Sequence, residues 1–279
     1  MNDILNPMLV LGGLGFIFAT LLSIASQVFA VEIDPKVDEV RTALPGANCG
    51  ACGYPGCDAL AEAIVAGEAP TSACPVGGAS TAEAVADIMG VNAANVERQV
   101  ATVLCQGDCE KAKVKYEYDG IKDCRVENIL QNGSKACTYG CLGCGTCMDI
   151  CPFDAIDMVD GLAVVNKDKC TACMKCIEVC PKKIIELVPY DNKYIVKCKS
   201  NDKGKEVREK CTIGCIGCQI CVKNCPVDAF TFENNLAKIN YDTCINCGIC
   251  ASKCPTDAIF PGKEKKQVKE SVKEKQAVK

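Results

Sequence analysis

From Met8 to Val31 the chain carries no charged residue, and the run LVLGGLGFIFATLLSIASQVFAV is long enough, as a helix rising ~1.5 Å per residue, to cross a hydrocarbon layer of ~30 Å. A single transmembrane helix is the expectation. A secretory signal peptide is the competing reading, with Val28-Phe29-Ala30 as its cleavage site. Against it, the preceding MNDILNP has no Lys or Arg, and the apolar run exceeds a signal core. Lys36 and Arg41 follow an N-terminus free of basic residues, which orients the rest of the chain to the cytoplasm. Gly12, Gly15, Ala19, Ser23 and Ser26 recur at three- and four-residue steps. Such a face admits a second membrane helix, although small residues are common in membrane spans generally.

Past the anchor the apolar period changes to that of short amphipathic helices. Asp34-Pro35 supplies a cap and a first-turn proline for a helix with Val37, Val40 and Leu44 on one side. Ala59, Leu60, Ala63 and Ile64 form the buried stripe of a second helix that ends near Gly67. Ser80-Thr81-Ala82-Glu83 reads as a capping box opening a third, which runs through Met89 and stops at Gly90. Further on, two segments switch to strand patterning around a tight turn. Ile156 to Val159 and Leu162 to Val165 flank Asp160-Gly161, and Phe230 to Glu233 and Leu236 to Ile239 flank Asn234-Asn235.

Composition then narrows the chemistry. The 279 residues include 26 cysteines and no histidine, with a formal net charge of -4. Without His, an imidazole base, histidine haem ligation and a Rieske centre are excluded. Sixteen of the cysteines fall in four Cys-x-x-Cys-x-x-Cys-x-x-x-Cys-Pro runs: Cys141/Cys144/Cys147/Cys151, Cys170/Cys173/Cys176/Cys180, Cys215/Cys218/Cys221/Cys225 and Cys244/Cys247/Cys250/Cys254. Three closely spaced thiolates plus one distant thiolate is the iron-sulfur spacing; zinc sites use two pairs instead. A disulfide scaffold would be a short secreted chain, so a reducing compartment follows.

Shifting the sequence by 74 residues lays Cys124 on Cys198, Cys137 on Cys211, Cys141 on Cys215 and every later cysteine up to Cys180 on its copy at Cys254. The C-terminal half is one module used twice. Each copy carries two runs with a hairpin between them and resembles the bacterial two-cluster ferredoxin fold. That resemblance implies crossed ligation. Cys141, Cys144 and Cys147 would share a cube with Cys180, and Cys170, Cys173 and Cys176 with Cys151. In the second copy, Cys215, Cys218 and Cys221 would pair with Cys254, and Cys244, Cys247 and Cys250 with Cys225. So small a unit buries too little apolar surface to fold without its clusters.

Upstream lies a different site, Cys49-x2-Cys52-x4-Cys57-x16-Cys74-Pro75, where Gly50, Gly53 and Gly56 let the backbone curl around an inorganic core. A cluster is expected there, with zinc the alternative. Cys105, Cys109, Cys124 and Cys137 belong to no run and are assigned as a further four-thiolate set. Cys198 and Cys211 complicate this, being either the relic of a duplicated half-site or members of a set drawn from both halves; buried free thiols are the plain alternative for that pair. On these assignments the chain holds six [4Fe-4S] clusters.

Taken together, the anchor, NCGACGYPGCDALAEAI, APTSACPVGG and KACTYGCLGCGTCMDICPFDAI with its copy resemble the B subunit family of the Rnf complex, an ion-translocating ferredoxin:NAD oxidoreductase. The resemblance covers nearly the whole chain. It implies an electron-transfer subunit that takes electrons from soluble ferredoxin, works beside other membrane and peripheral subunits, and sits in the cell membrane with its iron-sulfur domains in the cytoplasm. No strand, Gly-rich turn and helix unit for NAD or flavin is present, so that chemistry belongs to partner subunits. No catalytic residue and no nucleic-acid partner are expected. The alternative is a membrane-tethered polyferredoxin serving a soluble hydrogenase or dehydrogenase.

The expected fold class is α+β: one N-terminal transmembrane helix, a small helical iron-sulfur domain and two tandem ferredoxin-like two-cluster modules. The expected boundaries are an anchor at 1–31, an N-terminal iron-sulfur domain at 32–104, a linking cysteine segment at 105–140, ferredoxin-like modules at 141–189 and 190–261, and a Lys-rich tail at 262–279. Lys263 to Lys279 could steer an acidic donor, or form a solvated end of mixed charge.

Overall fold

The computed structural model describes residues 2–28, 34–92 and 97–261, apart from the side chains of 2–7, 9, 10, 27 and 28. The tail at 262–279 lies outside the described residues, as does part of the expected anchor. Helix α1 spans Asn2–Val28. Leu11, Leu14, Phe16, Ile17, Phe18, Leu21, Leu22 and Ile24 stand exposed along it. Among the described residues, no helix is long and apolar enough to cross a membrane.

The N-terminal domain is three helices around one small core. Helix α2, Pro35–Ala43, begins where expected, with the Asp34 carboxylate accepting from the Lys36 N–H at 2.9 Å. Helix α3 covers Cys57–Val65 and α4 Gly78–Met89. Val40, Leu44, Leu60, Ile64 and Val85 meet at the centre. Gly90 closes α4 in the left-handed conformation that a C-terminal glycine supplies. Its start differs from the capping-box reading. The helix opens two residues before Ser80, at Gly78, so the Ser80 hydroxyl donates back to the Gly77 carbonyl at 3.4 Å instead of capping.

Each ferredoxin-like module consists of two two-stranded sheets and short helices behind the cysteine runs. In the first module the elements are β1 (Gln99–Val103), α5 (Cys124–Ile129), α6 (Thr146–Asp149), β2 (Ile156–Val159), β3 (Leu162–Val165), α7 (Lys175–Val179) and β4 (Ile185–Pro189). The second comprises β5 (Ile195–Val196), α8 (Gly204–Lys210), α9 (Ile220–Lys223), β6 (Phe230–Glu233), β7 (Leu236–Ile239), α10 (Ile249–Lys253) and β8 (Ile259–Phe260). Both hairpins fall where the alternation placed them, with Asp160 and Gly161, and Asn234 and Asn235, all left-handed in the turns.

In each module a strand from before the cysteine runs pairs with the last strand: β1 with β4, from Gln99 opposite Pro189 to Val103 opposite Ile185, and β5 with β8. Strand β1 is therefore part of the first module, not of the domain expected at 32–104. Ala101 and Val103 pack in the same core as Cys141, Cys147 and Cys176. Between β1 and the first cysteine run the first module carries an insertion that the second lacks.

Leu60 is fully buried at the centre of the N-terminal domain. Leu60→Ala is expected to destabilise that domain by about 2–5 kcal/mol while the modules keep their own melting transition; calorimetry of the two transitions checks this.

Candidate iron-sulfur sites

Backbone geometry aims the thiols. In all four runs the residues on either side of the second cysteine are left-handed: Gly143 and Gly145 around Cys144, Ala172 and Met174 around Cys173, Gly217 and Gln219 around Cys218, Asn246 and Gly248 around Cys247. Two such turns in succession fold the loop back on itself, so that in three of the runs all three closely spaced thiols line one cavity, and in the first run Cys141 and Cys147 do. A further reversal follows each run, where Asp154, Lys183, Asp228 and Asp257, three residues after the terminal cysteines, are also left-handed. At Gly143 and Gly217 glycine is demanded by space as well. A Cβ on Gly143 would come within 2.5 Å of the Gly161 carbonyl oxygen, and one on Gly217 within 2.8 Å of that of Asn235, because the hairpin turns lie over these loops.

The loops close on cavities that exchange their terminal cysteines. One of about 340 Å³ is lined by Cys170, Cys173 and Cys176 together with Cys151. In the second module, one of about 400 Å³ takes Cys215, Cys218 and Cys221 with Cys254, and one of about 310 Å³ takes Cys244, Cys247 and Cys250 with Cys225. The fourth, of about 360 Å³, is lined by Cys141, Cys147 and Cys180, but also by Cys124. Cys144 lies just behind it, its thiol donating to the Glu127 carboxylate at 2.7 Å. A hydrogen bond with Cys144 lowers the Cys124 pKa, and the same contact, with burial, raises that of Cys144.

The electrostatics of these holes favour a cationic core. Burial pushes the thiols of Cys147, Cys176 and Cys221 up to about 12, with neighbouring thiolates adding to the rise. Cys250 is raised to about 11 for the same reasons. Four converging thiolates are costly until positive charge sits among them. The remaining walls are apolar, and the soft sulfur donors match iron-sulfur chemistry. Among the described residues, no three Cys, His, Asp or Glu side chains are grouped to hold a single metal ion. Spread thiols around a hole suit a multi-iron core better than one zinc. Backbone N–H groups of Ala155, Ala229 and Ala101 donate to the sulfurs of Cys151, Cys225 and Cys170 at 3.5, 3.3 and 3.3 Å.

In the N-terminal domain Gly50 and Gly53 are left-handed, and the Asn48 side chain accepts from the Cys57 N–H at 2.8 Å. Cys57 and Cys74 sit in the core with Cys52 against it. Burial raises the Cys74 pKa, and the charges of Cys57 and Cys52 add to it. The Gly77 N–H approaches the Cys74 sulfur at 3.4 Å. Cys49 is half-buried, and its charge reaches Cys173, which puts this site beside the first module.

The set Cys105, Cys109, Cys124 and Cys137 is not brought together. Cys105 and Cys137 line a cavity with Cys198 and Cys211. Cys109 is exposed, tied by its N–H to the Asp160 carbonyl in the hairpin turn, and Cys124 lines the Cys141 cavity. Closeness in sequence misled the assignment; the 74-residue repeat, which singled out Cys198 and Cys211, was the better signal. The buried carboxylate of Glu127 had no mark in the sequence.

Among known proteins, residues 44–76 match the FeS family of Fe-S cluster segments, and residues 134–181 and 214–258 each match a 4Fe-4S dicluster domain. The B subunit of the Na(+)-translocating ferredoxin:NAD(+) oxidoreductase complex of Acetobacterium woodii is 56% identical over 87% of this chain and 73% of its own length. The chain belongs to the B subunit family of the Rnf complex. Other Rnf relatives are the B subunit of the ion-translocating oxidoreductase complex of Methanosarcina acetivorans, 45% identical over 86% of this chain and 91% of its own, and the B subunit of the proton-translocating ferredoxin:NAD(+) oxidoreductase complex of Clostridium ljungdahlii, 45% identical over 86% and 85%.

Because Cys151 lines the cavity of the other run, Cys151→Ser is expected to damage the centre held by Cys170, Cys173 and Cys176 and to spare that of Cys141 and Cys147. EPR of the reduced protein, compared with Cys147→Ser, distinguishes the two. Cys124→Ala is expected to keep full iron content, with Cys144 as the fourth thiol of the crossed set; loss of about four irons per chain would make Cys124 a ligand in its place.

Proposed function

We propose that this chain is the electron-entry subunit of a membrane-bound, ion-translocating ferredoxin:NAD oxidoreductase, receiving electrons from reduced ferredoxin and relaying them to the other subunits. The observation that supports this reading is the exchange of terminal cysteines: both cavities of the second module and one of the first are each lined by three cysteines of one run and the terminal cysteine of the other. Its ligands are Cys141/Cys144/Cys147/Cys180, Cys151/Cys170/Cys173/Cys176, Cys215/Cys218/Cys221/Cys254 and Cys225/Cys244/Cys247/Cys250, with Cys49/Cys52/Cys57/Cys74 in the N-terminal domain. A [4Fe-4S] group in each site supplies one-electron chemistry over a wide range of potentials. The chain holds it in an apolar hole, excludes water, and offers backbone N–H groups to the sulfurs, which favours the more negative, reduced state.

The second module is the better entrance. Cys218 and Cys247 are exposed, whereas their counterparts Cys144 and Cys173 are half-buried. Ile245 stands exposed beside Cys247, next to Val227 and Ile249 at the surface. A small protein docking there meets a cluster through one layer of side chains. Membrane attachment through α1 is supported by its exposed apolar residues and by Thr20, whose hydroxyl is satisfied within the helix by the Phe16 and Ile17 carbonyls at 3.0 and 2.9 Å. A cytoplasmic side for the cysteine domains is supported by Lys36 and Arg41 and by the need to keep the thiols reduced.

Reduced ferredoxin is expected to bleach the visible absorption of the anaerobically purified chain. Ile245→Glu should slow that reduction several-fold with iron content unchanged. Failure of ferredoxin to reduce any cluster would refute the entry role, and an unchanged rate in Ile245→Glu would move the docking site elsewhere. Mild detergent extraction should bring other membrane subunits with the chain.

A further inference from the structure

The cavity formed by Cys105, Cys137, Cys198 and Cys211 lies between the two modules. At about 520 Å³ it is larger than any of the four cavities of the cysteine runs. None of its thiols belongs to a four-cysteine run, and three of them, Cys105, Cys198 and Cys211, fall outside every family match. The insertion after β1 builds one wall. Ala112 bridges to Cys211, the Lys113 N–H donates to the Lys210 carbonyl at 2.9 Å, and the Gln106 side chain donates to the Asp257 carbonyl at 3.0 Å. The insertion thus fastens the first module to the second around the hole.

Three glycines pack beside the sulfurs. A Cβ on Gly107 would meet the sulfurs of Cys105 and Cys211 at 3.6 and 3.7 Å, one on Gly140 that of Cys137 at 3.6 Å, and one on Gly214 that of Cys198 at 3.9 Å. None of the three is held by a left-handed backbone. These sulfur distances are ordinary contact distances; the tight approaches are those of Gly107 to the Ala112 Cβ at 3.0 Å and of Gly214 to the Val207 Cγ1 at 2.5 Å.

The cavity also carries uncompensated positive charge. Lys135 is only 5% exposed, and its ammonium donates to the Gly107 and Gly161 carbonyls at 2.8 and 3.1 Å, with no carboxylate among its partners. Lys197, another lining residue, is half-buried with its ammonium 4.3 Å from the centre of the Phe260 ring. Two ammonium groups withdrawn from water call for net negative charge beside them, which four thiolates around a cationic core supply as one unit. A disulfide or a neutral pair of thiols supplies none.

We propose that Cys105, Cys137, Cys198 and Cys211 bind a further [4Fe-4S] cluster at the junction of the modules, its charge balanced by Lys135 and Lys197. With it, 24 of the 26 cysteines are ligands and only Cys109 and Cys124 remain free. The assignment rests on reading the other cysteine sets as [4Fe-4S] sites. The test is iron, sulfide and zinc analysis with Mössbauer spectroscopy of the full chain, anaerobically reconstituted, for the wild type, Cys105→Ala, Cys198→Ala and the control Cys109→Ala. At four irons per cube, the wild type is expected to hold about 24 irons, the first two variants about 20, and the control as many as the wild type. Gly107→Val, which fills the hole and leaves every thiol in place, is expected to lose the same four. A wild type with about 20 irons and no loss in Cys105→Ala or Cys198→Ala overturns the junction site and leaves the entry role standing. One zinc lost in those variants overturns it equally. If Cys198→Ala fails to fold, Gly107→Val decides alone, an unchanged iron content overturning the proposal.

Discussion

A loop with cysteines at every third position can aim three sulfurs at one point only if its backbone reverses twice within a few residues. Here that reversal is a left-handed residue on each side of the middle cysteine, in all four runs. Non-glycine residues held there cost about 1–3 kcal/mol each, and Ala172, Met174, Gln219 and Asn246 all carry that strain. The module that contains them has a small core in which cysteine itself is a principal apolar component. What holds such loops in place is the bonding of sulfur to the inorganic core. The covering hairpins follow from the same constraint, because their turns press on Gly143 and Gly217 where no side chain fits.

The two modules are copies, yet the differences between them carry much of the organisation. Strand β1 reaches its partner β4 only after the chain has passed through the insertion, whereas β5 leads almost directly into the second set of runs. Cys137 and Cys211 keep equivalent places and both line the junction. Cys124 and Cys198 do not: the first turns toward Cys144 and Thr146, while the second turns into the junction cavity. Duplication supplied the thiols, and the insertion decided which of them meet.

What could be read from the sequence was what is encoded locally. The hairpins were placed to the residue because alternation and turn residues agree within ten positions, and Asp34-Pro35 marked a helix start through its own side chain. The capping box at Ser80 failed because Gly77 and Gly78 let the helix open earlier, a freedom that a cap-centred reading overlooks. Strand β1 was assigned to the wrong domain because its partner lies some eighty to ninety residues downstream, with Gln99 opposite Pro189 at the extreme. The grouping of Cys105, Cys109, Cys124 and Cys137 failed for the same reason. The cysteines that do converge lie on both sides of the duplication, and nothing local distinguishes Cys124 from Cys198.

The exchange of terminal cysteines also dictates an order of manufacture. A ribosome delivers the chain from its N-terminus, and the cavity that begins at Cys141 is incomplete until Cys180 has emerged, well after the Cys151 that ends its own run. The other pocket of that module has its last thiol at Cys176, twenty-five residues after Cys151. The junction cavity spans the longest stretch of all, its lining thiols running from Cys105 to Cys211. A cavity whose lining comes from both ends of a module is thus complete only late in synthesis, and its first thiols stand without their partners for that interval.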